Sequence, residues 1–286
     1  MSSADFENIN YAKIFGFNSV AAAAVFAALY TLLFCFYLFK VIRERRGILI
    51  ALLAFCLFRI VGFIMRAIAS NNTKIGENPG YVVATETFFS IGFFGLLFCA
   101  FLLVVARLEL CATKPSTSPF IRTLLGFTRS PRVFRLCLLA PMALGIAGLD
   151  ESVDNPEESL GLELRKASAA LFLVLTFFQV VQTGVLIKSE YEDKNSLKYV
   201  SPSFGGRHAS WIFGGISILL LIREIFTTAT INTFPRANNE HYWYPLVAVP
   251  EILCVILYMI PGVVPPKVRA KLDSSDVEES LPMGSK

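Results

Sequence analysis

The sequence predicts an all-α membrane protein: a bundle of seven transmembrane helices, with the N-terminus outside and the C-terminus in the cytoplasm. Three observations carry that expectation. Hydrophobic residues make up 55% of 286 positions, 26 of them Phe, and the mean hydropathy of +0.59 lies outside the range of water-soluble domains. Seven stretches approach the roughly 20 residues that a helix rising 1.5 Å per residue needs to cross a bilayer. They run from Asn18 to Lys40, Gly47 to Ser70, Val82 to Arg107, Arg135 to Leu149, Lys166 to Lys188, Ser210 to Ile231 and Tyr244 to Val264. Finally, the basic residues are sorted. Most fall in the loops after the first, third and fifth stretches and near the C-terminus, and the positive-inside rule sets the orientation from that bias.

The chain then divides into an outer N-terminus over residues 1–17, a transmembrane domain over 18–264 and a disordered cytoplasmic tail over 265–286, rich in Ser, Asp and Glu. Residues 1–17 have no basic region or cleavage-like site ahead of a short apolar core, so the first span is expected to stay as an anchor. A short basic turn, Lys40 to Arg46, makes the first two spans antiparallel neighbours.

The second span carries Arg59 and Arg66, seven residues apart and so on one helical face. A mid-membrane Arg costs about 2.5–3.5 kcal/mol, and Leu, Ile, Phe or Val each return about 0.3–0.6, so this Phe- and Ile-rich span can carry both. Arg66 is near enough to the outer end to snorkel to water. Asn71, with Asn72 and Thr73, forms an N-glycosylation acceptor pattern in a loop that charge bias places outside.

The third span holds Glu86 near its outer end and Gly92 and Gly95 deeper, where small residues let another helix approach. The fourth is the shortest and contains Pro141. The fifth sets Thr176, Gln179, Gln182 and Thr183 along one side, a polar stripe expected to face the bundle and to make interhelical hydrogen bonds. The sixth places Arg223 and Glu224 side by side, and the seventh has Glu251 and Tyr258, with Tyr242, Trp243 and Tyr244 as an aromatic belt at its outer end.

Three cations, Arg59, Arg66 and Arg223, thus stand against three anions, Glu86, Glu224 and Glu251, within membrane depth. Counted at about 1.5 Å per residue, Arg59, Arg223, Glu224 and Glu251 fall in one layer about 18–21 Å deep. Ionisable groups at that depth mark a functional site, a ligand-binding layer with Arg66, Glu86, Gln179, Gln182 and Tyr258 as secondary members. A charge network that only holds helices together is the competing reading.

Three stretches carry a resemblance: Phe55-Cys-Leu-Phe-Arg59-Ile-Val-Gly62, Leu220-Leu-Ile-Arg223-Glu-Ile-Phe226, and Glu251 with Tyr258 and Gly262. They resemble the recurring positions of a family of small fungal seven-helix membrane proteins of unknown function. More distantly, Gly62-Phe63-Ile-Met-Arg66 resembles the second helix of the fungal lipid-translocating exporters associated with aminocholesterol and sphingoid-base resistance. This resemblance implies lipid export, although the chain's carboxylate after Trp243 comes only at Glu251.

Several chemistries are excluded. A membrane zinc hydrolase needs several buried histidines, and the chain has two, His208 and His241, both at span ends. A retinal protein needs a Lys in the last helix for its Schiff base, and none is there. No metal, cofactor or covalent chemistry is expected, and the chain is not read as an enzyme. A net charge of +4 sorted by loop is no argument for nucleic acid. The six cysteines lie in or near the spans or on the cytoplasmic side, which argues against a disulfide framework. The expected function is to bind or translocate a lipid-like amphiphile at the charged layer, in the plasma membrane or another membrane of the secretory route, with membrane lipids as partners. A receptor-like sensor with a cytoplasmic partner and a purely structural membrane protein are the alternatives.

Overall fold

A computed structural model describes residues 10–109, 131–154, 159–192, 203–231 and 239–264. The tail expected over 265–286 lies outside them, as do residues 1–9. Seven helices in it are long and apolar enough to cross a membrane: α1 (Val20–Glu44), α2 (Gly47–Asn71), α3 (Pro79–Glu109), α4 (Pro131–Asp154), α5 (Leu160–Glu192), α6 (Ala209–Thr230) and α7 (Glu240–Met259). Among the described residues there is no strand. Lipid offers no hydrogen-bond partner, so an apolar segment that enters it satisfies its backbone internally as helix. The chain is a multi-pass helical membrane protein.

Local signals set the ends. Ser19 caps α1, its Oγ accepting from Ala22 N–H at 3.1 Å. Arg45 turns the chain back in the left-handed region at φ 39°, and the next residue, Arg46, is already the N-cap of α2. Asn72 ends α2 and caps the one-turn helix Thr73–Gly76.

Consecutive helices pair as hairpins, α1 on α2, α2 on α3, α4 on α5 and α5 on α6. Helix α3 is the most buried of the seven and α1 the least; α3 touches α2, α4, α5 and α6 and forms the centre of the bundle. Its aromatic rings fill the contacts. Phe101 stacks on Phe134 of α4 with centroids 3.6 Å apart, and Phe93 meets Phe172 of α5 edge-on.

Seven crossings put α7's two ends on opposite faces, and each end is tied down. At one face, called here the far face, the hydroxyl of Tyr37 donates to Val255 O at 2.7 Å, Lys40 donates to Met259 O, and Arg46 donates to Val264 O. Arg107 of α3 donates to Glu190 of α5 and to Gly206 O, both at 2.7 Å. Gly262 closes this end at φ +93°, where a Cβ would sit 1.9 Å from Ser203 Oγ. Only glycine fits that turn.

The opposite face, called the near face, holds residues 10–17. After the turn Tyr11–Ile14, the side chains of Ala12, Phe15 and Phe17 pack against Ala69, Val82 and Leu149 as a second small core.

Two helices differ from expectation. The fourth span was expected to be the shortest, yet α4 runs over 24 residues with Pro141 inside it. Polar and acidic residues Asp150 to Asp154 continue it past the apolar stretch, and Ser168 of α5 donates to Pro141 O at 2.6 Å. Helix α7 begins at Glu240, ahead of the apolar stretch, and widens to a π-turn over Tyr244–Ala248. Pro245 and Pro250 each lack a backbone donor; Pro245 lies inside the wide turn and Pro250 just after it, where the helix ladder is interrupted and a single π-turn can form.

Candidate functional site

Four charged side chains from three helices meet at mid-depth. Arg59 of α2 donates through Nη2 to Glu251 Oε1 of α7 at 2.5 Å, with both side chains 2% exposed or less. Arg223 of α6 places Nε 3.3 Å from the same carboxylate, and its Nη1 pairs with the Oε2 of its neighbour Glu224. Two cations against two anions make a neutral group, the condition for burying any of them. Of the two glutamates in this layer, Arg59 takes Glu251 and Glu224 pairs with Arg223.

Aromatic rings hold the cations in place. The guanidinium of Arg59 lies 5.1 Å from the ring of Phe55 and 4.9 Å from that of Phe89, and Arg223 lies 3.7 Å over Phe93. Such contacts are worth about 2 kcal/mol once desolvated. Gly92 backs Arg59 on α3, where a Cβ would approach its Cζ to 3.3 Å. The Nε and Nη1 of Arg59 are buried with no hydrogen-bond partner among the described residues, as is the hydroxyl of Tyr30, whose ring packs on Phe55 and Phe63.

Arg66, two turns along α2, is not snorkelled to water. It is 1% exposed and donates through Nη2 to Gly16 O at 2.8 Å and to Glu240 Oε1 at 3.3 Å. Its guanidinium sits between Phe17 at 4.5 Å and Trp243 at 4.3 Å, with Tyr244 at 5.4 Å. The same Glu240 oxygen accepts from the backbone N–H groups of Asn18 and Ser19. Trp243 and Tyr244 therefore face inward, Trp243 edge-on to Phe63 and Phe89 and Tyr244 stacked on Phe63, and of the three only Tyr242 points outward as a belt residue would.

Between these two clusters lies a cavity of about 170 Å³, lined by α2 through α7 and by Phe15. A single water needs at least ~10–15 Å³ on this measure, so there is room for several. Arg59, Arg66, Arg223 and Glu224 are on its wall, joined by Glu86 from α3 and Arg165 from α5. Among the described residues Glu86 has no hydrogen-bond donor and no cation within 4.0 Å. Ser90, Ser168, Thr227 and Thr230 add hydroxyls, and Phe226, Leu149 and Val247 add apolar wall.

Sequence reading missed Arg165 and Glu240. Both sit where composition reads as loop, and each is brought inward because its helix starts earlier than its apolar stretch. Of the secondary residues, Arg66 and Glu86 line the cavity, whereas Gln179, Gln182 and Tyr258 do not. All three are buried elsewhere in the bundle.

The polar stripe does face the bundle. Thr176 and Thr183 bond back to carbonyls on α5, and Thr183 also meets Ser217 Oγ of α6 at 2.8 Å. Gln179, however, makes none of the interhelical hydrogen bonds expected of it: neither amide atom has a partner among the described residues. Asn71 is the exposed last residue of α2. No group of three or more His, Cys, Asp or Glu side chains is placed to hold a metal among the described residues.

Comparison with known proteins finds no family model, curated protein or solved structure that matches the chain.

Proposed function

We propose that this protein binds an amphiphile in the cavity between α2 and α7 and passes it across the membrane. The observation that carries the reading is the cavity itself: polar and charged space, set within the span of seven apolar helices. Its head group would meet arginines and carboxylates, and its tail would leave along the apolar side formed by Leu149, Phe226 and Val247. A purely structural charge network would close on itself, since buried charges without partners are costly. This one leaves donors of Arg59 buried without acceptors among the described residues and places Glu86 on the cavity wall.

The near face is taken as outside and the far face as cytoplasmic, following the charge bias. The reading involves no covalent chemistry, takes membrane lipids as the partners and puts the chain in a membrane of the secretory route. Purified protein reconstituted into liposomes tests it, with head-labelled lipid in the inner leaflet and a quencher outside. Protein-dependent movement of the label is expected. Its absence, with a lipid still bound, would favour the sensor; its absence with no lipid bound would leave the structural role.

A further inference from the structure

Phe15 brings residues 10–17 into the wall of the cavity, so part of its near side is a piece of chain that belongs to no transmembrane helix. This segment holds its own shape. The backbone N–H groups of Ile14, Phe15 and Phe17 donate to the carbonyls of Asn10, Tyr11 and Ala12 at 3.3, 2.9 and 2.8 Å, and the side chain of Asn10 caps the turn by accepting from Lys13 N–H.

Its ties to the helices are of another kind. Gly16 O accepts from Arg66 Nη2 at 2.8 Å. Where the segment joins α1, the N–H groups of Asn18 and Ser19 donate to Glu240 Oε1 at 3.0 and 3.1 Å. Arg66 and Glu240 are themselves paired at 3.3 Å, so one ion pair between α2 and α7 fastens both the segment and its joint. The apolar contact made by Ala12, Phe15 and Phe17 is a cluster separate from the main core and much smaller. A unit with few apolar contacts and few polar ties opens at lower cost than the body of a fold.

Two backbone features permit such an opening. Gly16 stands at φ +69° just before the joint, a conformation that only glycine adopts without strain and leaves readily. On the other side of the ion pair, the wide turn Tyr244–Ala248 separates Glu240 from Glu251, so the start of α7 can shift without drawing Glu251 off Arg59.

Building on the reading of the cavity as a transport site, we propose that residues 10–17 are a lid over its near side, latched by the Arg66–Glu240 pair and hinged at Gly16. Phe15 and Phe17 flank the hinge, so one swing takes Phe15 off the cavity wall and Phe17 off the guanidinium of Arg66. The head group then enters or leaves past the lid at the near face.

The test is thiol access to Ser90, a cavity-wall residue of α3. Ser90→Cys is made in the full chain with its native cysteines replaced and held in nanodiscs, where a membrane-impermeant maleimide reaches both faces. Ala12→Cys with Gly76→Cys fastens the lid, since a Cβ at Gly76 would lie 3.0 Å from that of Ala12, near the ~3.5–4.5 Å of a disulfide. Glu240→Ala removes the latch. Access follows the fraction of open lid, so labelling of Ser90→Cys should be about tenfold slower with the lid cross-linked than after the same sample is reduced and freed of reductant. In Glu240→Ala it should be about tenfold faster than in the parent. Reversal within one sample does not arise from damage to the fold. Equal rates before and after reduction overturn the lid; should the pair fail to cross-link, an unchanged rate in Glu240→Ala overturns it instead. Lipid flux in liposomes separates the lid from the amphiphile reading. Gated labelling without lipid movement keeps the lid and removes the amphiphile reading, whereas lipid movement through the cross-linked protein removes the lid and keeps the amphiphile reading.

Discussion

Arg59 Nη2 lies 2.5 Å from Glu251 Oε1, although 192 residues separate them in the chain. The same carboxylate also faces Arg223, so Glu251 stands between two buried cations, and for Arg59 it is the anion in the pair. Replacing it by Gln strands Arg59, while Arg223 keeps Glu224, and stranding a buried charge costs about 3–5 kcal/mol. Arg59→Gln in the Glu251→Gln background should recover a large part of that loss. Arg223→Gln should recover less, because it strands Glu224 in turn. A double-mutant cycle in thermal unfolding measures the difference, and equal recovery by the two arginines would contradict the pairing.

Arg66 relies on its planar shape as well as its charge, lying between Phe17 and Trp243 while it donates to Gly16 O and Glu240. Lysine keeps the charge but neither stacks nor forks. Arg66→Lys should therefore cost about 1–3 kcal/mol and loosen residues 10–17. Thermal unfolding reads the first effect and limited proteolysis of that segment the second.

Gln179 is fully buried with both amide atoms unpartnered among the described residues. If that amide serves only packing, Leu in its place should stabilise the protein by roughly 1–3 kcal/mol, the penalty for an unsatisfied polar group. If a head group passes it, Gln179→Leu should stabilise and also slow transport. The expected result is both together, seen as a raised Tm and a reduced rate in liposomes.

At the far face, Gly262→Ala places a Cβ against Ser203 Oγ at 1.9 Å and Gly206 N at 2.7 Å. Removing the hydroxyl with Ser203→Ala relieves the first clash and leaves the second. Folded yield should fall sharply in Gly262→Ala and recover only in part in the double variant, as measured by size-exclusion chromatography.

Orientation is checked with a membrane-impermeant thiol reagent on a background in which the native cysteines are replaced. Glu77 and Arg43 are both exposed, at opposite ends of α2 and its neighbours. A cysteine at Glu77 should label from outside intact cells or, in an internal membrane, from the lumen, and one at Arg43 should not. The reverse pattern would invert the assignment.

The seven spans and the mid-membrane charges were legible because lipid imposes a rule that single residues break visibly: a charge inside an apolar run stands out whatever the fold. Arg59, Arg223, Glu224 and Glu251 were found in this way. Arg165 and Glu240 carry the same charges but lie among polar neighbours, where linear reading assigns them to water. Only the packing of Phe15 and Phe17 over the near end, together with the early starts of α5 and α7, encloses them. Aromatic ends invite the same error: an aromatic at a span end satisfies the rule for an interfacial belt, yet Trp243 and Tyr244 turn inward because Arg66 offers them a cation to stack on.

The long sequence separation of these pairs also sets a problem of timing. Arg59 and Arg66 are made 192 and 174 residues before their partners Glu251 and Glu240. At about 5–20 residues per second, the second helix waits roughly 10–40 s for its counter-charges. During that interval it must shelter beside the insertion machinery or remain partly outside the bilayer, and the ribosome has to deliver the last helix before the second can settle.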